Sequence, residues 1–408
     1  RQSDGRWPTP TPDAATHRPP SGSPIIASMP SRGHADSDLT GYGLALSPVT
    51  RHRPRWLPIH NARARIVAMN ALAHLLGTPF PLLQAPMAGV QGSALAIAVG
   101  HAGALGSLPC AMLAPDALRA ELQALQASGL PHNVNFFCHT PPEPDAASES
   151  AWRAALKPYY DELGLDAASI PAGPGRRSFD ADSAALLAEF KPRVVSFHFG
   201  LPAPDLLAQV KSWGSKVLAS ATTVREALWL EEHGADAVIA QGLEAGGHRG
   251  NFLSMDISEQ MGTFALLPQI AATVRVPVIA AGGIADAAGV RAAMALGAAG
   301  VQVGTAYLCA DEATTTALHR AALQSEAARH TTLTNVFTGR PARGIVNRVM
   351  REMGGSGKTH FATGLSRAAP AFPLATNAMA PLRAAAEKAG RTDFSPLWSG
   401  QNATACQS

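Results

Sequence analysis

Eight short apolar runs, separated by helical patterns, constrain the fold more than any other feature of this sequence. They lie at 80–86 (FPLLQAP), 104–108, 134–137 (VNFF), 193–199 (RVVSFHF), 216–220 (KVLAS), 237–240, 276–281 (VPVIAA) and 300–308 (GVQVGTAYL). Each is nearly continuous in apolar residues, as parallel strands are when helices cover both faces of the sheet. Helical stretches fall between them at 93–99, 115–126, 204–213, 223–233, 262–274 and 286–296, with a last one at 311–324. Eight βα units in succession predict an α/β fold of the TIM (β/α)8 barrel type. A doubly wound open sheet is the other arrangement that such a pattern can adopt. No GxGxxG fingerprint of a dinucleotide-binding sheet is present; 100–106 (GHAGALG) has the wrong spacing and suits a helix C-cap.

The third and fourth runs are farther apart than the others, so 138–190 reads as an insertion, with helix-like pieces SESAWRAALKPYYDELG and SAALLAEF. The barrel then occupies 69–334. Residues 335–408 form a smaller, mainly helical C-terminal region with a basic helical stretch at 342–353, a GGSGK loop and an alanine-rich helix at 381–389. That loop lacks the GxxxxGK[ST] spacing of a phosphate loop and reads as flexible. Residues 1–68 hold ten prolines and show no sustained periodicity. They are expected to be disordered, or a non-native extension ahead of a start near Met69.

The net charge of +3 is uneven. Nine arginines and four aspartates, with no lysine or glutamate, give 1–68 a balance of +5 and leave −2 for all other residues. The basic excess belongs to the leader, so no nucleic-acid binding is expected of the core. No apolar run reaches the roughly 18–20 residues of a membrane helix, so no membrane association is expected. Cys110, Cys138, Cys309 and Cys406 are widely spaced and form no CxxC. Neither a disulfide framework nor a metal site is predicted, and a reducing, cytoplasmic setting fits.

Chemistry concentrates where the runs end, because a barrel presents its functional groups at the carboxyl ends of its strands. The sixth run ends in QGLEAGGHRG (241–250). There Gln241 lies within reach of a ring's polar edge, and His248 can handle a proton near neutral pH. A lone histidine is more often a surface or satisfied core residue; a glycine loop at this face favours the catalytic reading. Glu244 and Arg249 read as structural, orienting the loop through an ion pair. The seventh and eighth runs end in Ala281-Gly282-Gly283-Ile284 and Gln302-Val303-Gly304-Thr305. In a barrel these two loops often hold a phosphate between glycine N–H groups and a hydroxyl. The first run ends in APMAG (85–89), either a tight turn or a platform for a flat ligand. Asn135 and His198 end the third and fourth runs. Asparagine can donate and accept toward a heterocycle, and His198 is either an anion-pocket residue or an idle rim histidine. A Schiff-base lysine is missing from the strand ends, since Lys216 opens the fifth run at the opposite face.

Taken together, QAPMAGV (84–90), VVSFHFGLP (194–202), QGLEAGGHRG (241–250), AAGGIADAAGVRAAMALGAAGVQVGTAYL (280–308) and FSPLWSGQ (394–401) resemble the nitronate monooxygenase family, formerly called 2-nitropropane dioxygenases. The resemblance covers about residues 70–402 and points to the bacterial type that oxidises propionate 3-nitronate. It implies an FMN-containing TIM barrel with a smaller helical region. The implied reaction is oxidation of an alkyl nitronate by O2 to a carbonyl compound and nitrite. By resemblance, Asn135, Gln241, Gly246, Gly283 and the run Gln302, Val303, Gly304, Thr305 contact FMN, and Met87 sits by the isoalloxazine ring. His248 would lie beside the flavin N5, binding the nitronate or handling its proton, and its protonated form would offset the nitronate charge. His198 matches a substrate-pocket residue. The implied partners are a small-molecule nitronate and O2, and the chain is expected as a monomer or homodimer. FMN-dependent enoyl-acyl-carrier-protein reductases share the barrel and the GGH loop but use NAD(P)H; a non-redox phosphate-binding barrel is the third possibility.

Overall fold

In the computed structural model, residues 62–143, 145–167, 170, 176–354 and 365–406 are described. The expectations for the leader up to residue 61 and for most of the GGSGK loop, at 355–358, lie outside the described residues.

Helix α1 (Ala62–Leu76) leads into β1 (Leu82–Gln84), α2 (Ser93–His101), β2 (Gly106–Pro109), α3 (Pro115–Ser128) and β3 (His132–Phe137). Two helices, α4 (Ala146–Glu162) and α5 (Ala181–Phe190), precede β4 (Val194–His198). Then come α6 (Pro204–Ser212), β5 (Lys216–Ala221), α7 (Val224–Glu232) and β6 (Ala237–Gln241). A two-residue strand, β7 (Gly247–His248), lies in the glycine loop ahead of α8 (Thr263–Thr273), β8 (Val278–Ala281), α9 (Ala287–Ala295) and β9 (Gly300–Val303). The remaining elements are α10 (Ala317–Leu323), β10 (Thr331–Thr334), β11 (Ala342–Ile345), α11 (Arg348–Met353) and α12 (Ala375–Lys388). Among the described residues no helix is long and apolar enough to cross a membrane.

Eight strands pair in the order β1-β9-β8-β6-β5-β4-β3-β2. The two edges meet at Leu83 and Leu105, where Gln84 N donates to Leu105 O and Leu105 N to Leu82 O, both at 2.9 Å. This closes a parallel (β/α)8 barrel. Local chemistry starts its helices. Pro115 opens α3 where no N–H is needed, and Gly129 ends it with φ 67°. Asp180, Thr223 and Asp286 cap α5, α7 and α9 by accepting from Ser183 N, Glu226 N and Gly289 N.

The strands read as unbroken apolar runs, yet alternate residues go to opposite places. Val134, Phe136, Val195, Phe197 and Val217 turn outward beneath α3, α5 and α6. Val238, Ala240, Val278, Ala280, Val301 and Val303 turn outward beneath α7, α8 and α9. Inward positions at the amino end, including Leu83, Leu105, Val194, Leu218 and Ile279, pack with Leu72 and Leu76, so α1 plugs the barrel floor. Nearer the carboxyl end the interior becomes polar. Asn133 Nδ2 donates to Ser107 Oγ and Ser196 Oγ, both at 2.9 Å, and Ser107 N donates to Gln84 Oε1 at 2.9 Å. These bonds satisfy most of the buried layer, and Asn133 Oδ1 is left without a hydrogen-bond partner.

The stretch between β3 and β4 divides in two. Helix α5 packs in the barrel's own helical layer, so 181–190 supplies the third barrel helix rather than part of an insertion. Helix α4 leaves the barrel. Its Trp152, Leu156 and Tyr160 share a core with Met350 of α11 and Met379 and Leu382 of α12. Trp152 Nε1 donates to Ala375 O at 3.3 Å and Tyr160 OH to Ala378 O at 2.7 Å. The stretch 342–353 is not one helix: β11 comes first, and Asn347 starts α11 by accepting from Met350 N. The eighth run also ends early. Strand β9 stops at Val303, and Thr305–Cys309 forms a 3-10 turn.

Leu76 is fully buried in the floor plug. Leu76→Ala is expected to lower stability by about 2–5 kcal/mol, read as a lower urea midpoint at unchanged slope. A loss under about 1 kcal/mol would show that the barrel floor is closed by something other than α1.

Candidate active site

The carboxyl ends of the barrel strands open into one cavity. Asn135, His198, Gln241 and Gln302 reach it from strand ends; Met87, Gly246, His248, Gly283, Gly304 and Thr305 reach it from the loops. Ten of the eleven anticipated site residues therefore line one space. Val303 does not. It is the outward neighbour of Gln302 and is buried beneath the helices. Consecutive strand residues face opposite sides, so an unbroken run of four cannot all face one ligand. Its carbonyl continues the β1–β9 pairing, Val303 O accepting from Ala85 N at 2.8 Å.

The glycine loop is held from both sides. Strand β7 pairs antiparallel with β11, placing His248 opposite Ala342 and Gly247 opposite Arg343. From the barrel side, Gln241 Nε2 donates to His248 O at 3.0 Å, and its Oε1 accepts from Gly250 N at 2.8 Å. Arg249 is fully buried. It donates to Gly242 O and Gln241 O at 2.7 Å each and to Gln260 Oε1 at 2.8 Å. Glu244 accepts from Thr263 N at 2.8 Å and Thr263 Oγ1 at 2.9 Å. Both residues are structural, but the ion pair expected between them is not formed; the loop stem's carbonyls already take the guanidinium's donors. Gly246 is required by proximity, since a Cβ there would lie 2.6 Å from Gly400 N. Gly283 sits in left-handed backbone at φ 71°.

His248 contacts Thr338 Oγ1 through Nε2 at 2.9 Å. Its ring stands 5.5 Å from Phe372, 5.7 Å from Trp398 and 6.1 Å from both Phe137 and Phe199. Phe199 itself takes φ 72°, a strained choice for a side chain of that size. Burial, followed by the positive charge of Arg176 and that of Arg340, drives the His248 pKa well below 6.5. His248 is therefore neutral, not protonated as expected from the sequence.

His198 contacts Ser220 Oγ through Nδ1 at 3.1 Å and His248 O through Nε2 at 3.2 Å. A carbonyl only accepts, so Nε2 carries the proton and Nδ1 accepts from Ser220, an assignment made from partners. Both ring nitrogens are engaged, so His198 supports the loop rather than presenting a free group to a substrate. Burial lowers its pKa to about 3.

Three residues went unnoticed in the sequence. His139 is buried between Phe372 and Phe199, with its pKa lowered to about 4, first by burial and then by Arg340. The guanidinium carbon of Arg340 stands 3.9 Å above the Phe199 ring. Arg176 reaches the cavity wall from the segment ahead of α5. Burial lowers both arginines only to about 10, so both stay cationic. No local motif announces them; scattered arginines become a site only when α5, β11 and the glycine loop meet.

The donor set suits a flat heterocycle carrying a phosphate. Gln302 Oε1 is buried in the cavity wall without a hydrogen-bond partner. Gly283, Gly304 and Thr305 form a small cradle, in which Thr305 Oγ1 accepts from Gly400 N at 3.0 Å and keeps its own proton to donate. The sequence profile described as nitronate monooxygenase matches residues 69–408.

The chain belongs to the nitronate monooxygenase family. Members are oxidoreductases, and the family is flavin-dependent. The nitronate monooxygenase of Paraburkholderia phytofirmans is 43% identical over 346 residues, spanning 83% of this chain and 91% of that protein. That of Pseudomonas aeruginosa is 41% identical over 332 residues, spanning 81% and 92%. Among solved structures, a nitroalkane oxidase from Streptomyces ansochromogenes matches with a TM-score of 0.72 at 37% identity, covering 82% of this chain and 92% of that one. FabK from Thermotoga maritima matches with a TM-score of 0.59 at 28% identity, covering 82% and 89%.

The neutral imidazoles make stability depend on pH. His139 and His198 have folded-state pKa values of about 4 and about 3, against 6.5 when unfolded. Below 6.5 the unfolded chain binds protons that the folded chain refuses, so stability is full above 6.5 and is lost as pH falls toward those values. The thermal midpoint is expected to drop already between pH 6.5 and about 4.5, above the ordinary carboxylate range. A flat profile in that interval would refute the neutral assignment.

Proposed function

We propose that the protein binds FMN in this cavity and oxidises an alkyl nitronate, propionate 3-nitronate or a close analogue, with O2 to a carbonyl compound and nitrite. One observation carries the reading: a neutral imidazole, His248, on the wall of a cavity that also offers an unpartnered Gln302 oxygen and a glycine-hydroxyl cradle. Asn135, Gln241, Gly246 and Gln302 would hold the ring, with Met87 beside it. Gly283, Gly304 and Thr305 would hold the phosphate, and Val303 would contribute main chain only. FMN, when bound, supplies the redox chemistry, taking electrons from the nitronate and passing them to O2.

The protein's own residues bind the substrate and orient it. The neutral His248 ring carries one N–H and one acceptor nitrogen, so the residue orients the ligand by hydrogen bonding and supplies no positive charge. The anion's charge is met by the field of Arg176 and Arg340, which stay cationic in a site that screens little. His198 acts as a positioning residue under the His248 carbonyl. The phenyl rings around His248 exclude water, strengthening each polar contact. Action on a small molecule in the cytoplasm, as a monomer or homodimer, belongs to the same proposal.

Purified protein should show flavin absorbance near about 370 and 450 nm, and propionate 3-nitronate added without oxygen should bleach it. His248→Ala should keep the bands and lose about 10²–10⁴-fold in kcat/KM; full activity in that variant would sink the assignment. NADH or NADPH added without oxygen should leave the bands standing, whereas rapid bleaching would favour the reductase alternative.

A further inference from the structure

Among the described residues Arg176 is a cation without a counter-ion. Its Nη1 donates to Thr376 Oγ1 at 2.9 Å, while Nε is buried and has no partner. Among the described residues no carboxylate forms an ion pair with it, and the charge felt most strongly is Arg383, another cation. Keeping a charge in such a place is unfavourable unless something pairs with it. Nε is enclosed by protein, so the guanidinium meets the cavity through its outer nitrogens, whose charge can hold a carboxylate.

The placement matters as much as the charge. The guanidinium carbon lies 5.7 Å from the centre of the Phe372 ring, and the His248 ring lies 5.5 Å from the same centre. Phe372 is thus a common neighbour of the reacting imidazole and the cation, which stand apart but border one space. His139, two residues past the end of β3, packs on the same ring, its centroid 4.8 Å from that of Phe372. A small ligand reacting at His248 therefore has a cationic receptor waiting for its other end.

We propose that Arg176 is the specificity-determining residue of this cavity: its guanidinium binds a second, non-reacting carboxylate of the substrate. Its role in turnover rests on the nitronate reading above; its role in binding does not. Arg176 thereby separates nitronates that carry a carboxylate from those that end in a methyl group.

Two nitronates of equal length test this, those of 3-nitropropionate and 1-nitropropane, which differ in a carboxylate against a methyl. With FMN-loaded protein, Arg176→Met is expected to lower kcat/KM for the first by about 100-fold, mostly through KM, and for the second by less than about 3-fold. Arg176→Lys should recover part of the loss, and the flavin spectrum should be unchanged in both variants. Equal losses on the two substrates, or none on either, would overturn the proposal. Calorimetry with 3-nitropropionate and 1-nitropropane supplies an arm independent of turnover. Binding of the carboxylate ligand that depends on Arg176, in a protein that oxidises no nitronate, would sink the oxidase reading and keep the anchor. Absent binding, or equal binding by Arg176→Met, would remove the anchor whatever the turnover.

Discussion

His248 stands on a strand of two residues, too short to persist without help. Its partner, β11, comes from the far end of the chain, and Arg249 N continues the pairing by donating to Pro341 O at 2.8 Å. Gln241 and the buried Arg249 hold the same loop from the barrel. The imidazole is thus fixed between the barrel and the small sheet formed by β10, β11 and β7. Remove either side and the glycines that permit this loop would release it, since they supply no restraint of their own.

Desolvation then sorts the charges. Burial lowers every basic group around the loop, but the starting points differ. An arginine beginning at 12.5 comes down to about 10 and stays charged; a histidine beginning at 6.5 comes down to about 3 and stays neutral. One environment therefore yields permanent cations at Arg176 and Arg340 and acceptor imidazoles at His198 and His248. Histidine protonation is unnecessary for attracting an anion here, because the arginines already do so.

The barrel was legible because apolar runs of strand length recur with helices between them, and parallel strands covered on both faces leave that trace. The strand-end glycines and His248 were legible because a barrel confines its chemistry to those ends. Parity was less visible. In a run where both faces are apolar, nothing in composition says that Gln302 points in and Val303 points out. The ion pair read into Glu244 and Arg249 failed for a related reason, as backbone carbonyls compete for a guanidinium and leave no mark in sequence. Arg176, His139 and Arg340 stayed hidden because they are far apart in the chain and converge only through tertiary packing. Helix α5 was misjudged since a long connection hides which of its helices belongs to the barrel.

The shared core of α4 and α12 has a consequence for how the protein is made. Trp152 and Ala375, joined by a hydrogen bond, are 223 residues apart, and Gly400 and Asn402 close the cradle by bonding to Thr305 and Gly283. A growing chain can complete all eight barrel strands while these walls are still unsynthesised. During that interval α4 carries an apolar face with nothing to cover it, and the cavity gapes toward solvent. Maturation is therefore a late step, in which the last stretch of polypeptide converts a finished barrel into a vessel able to hold its ligand.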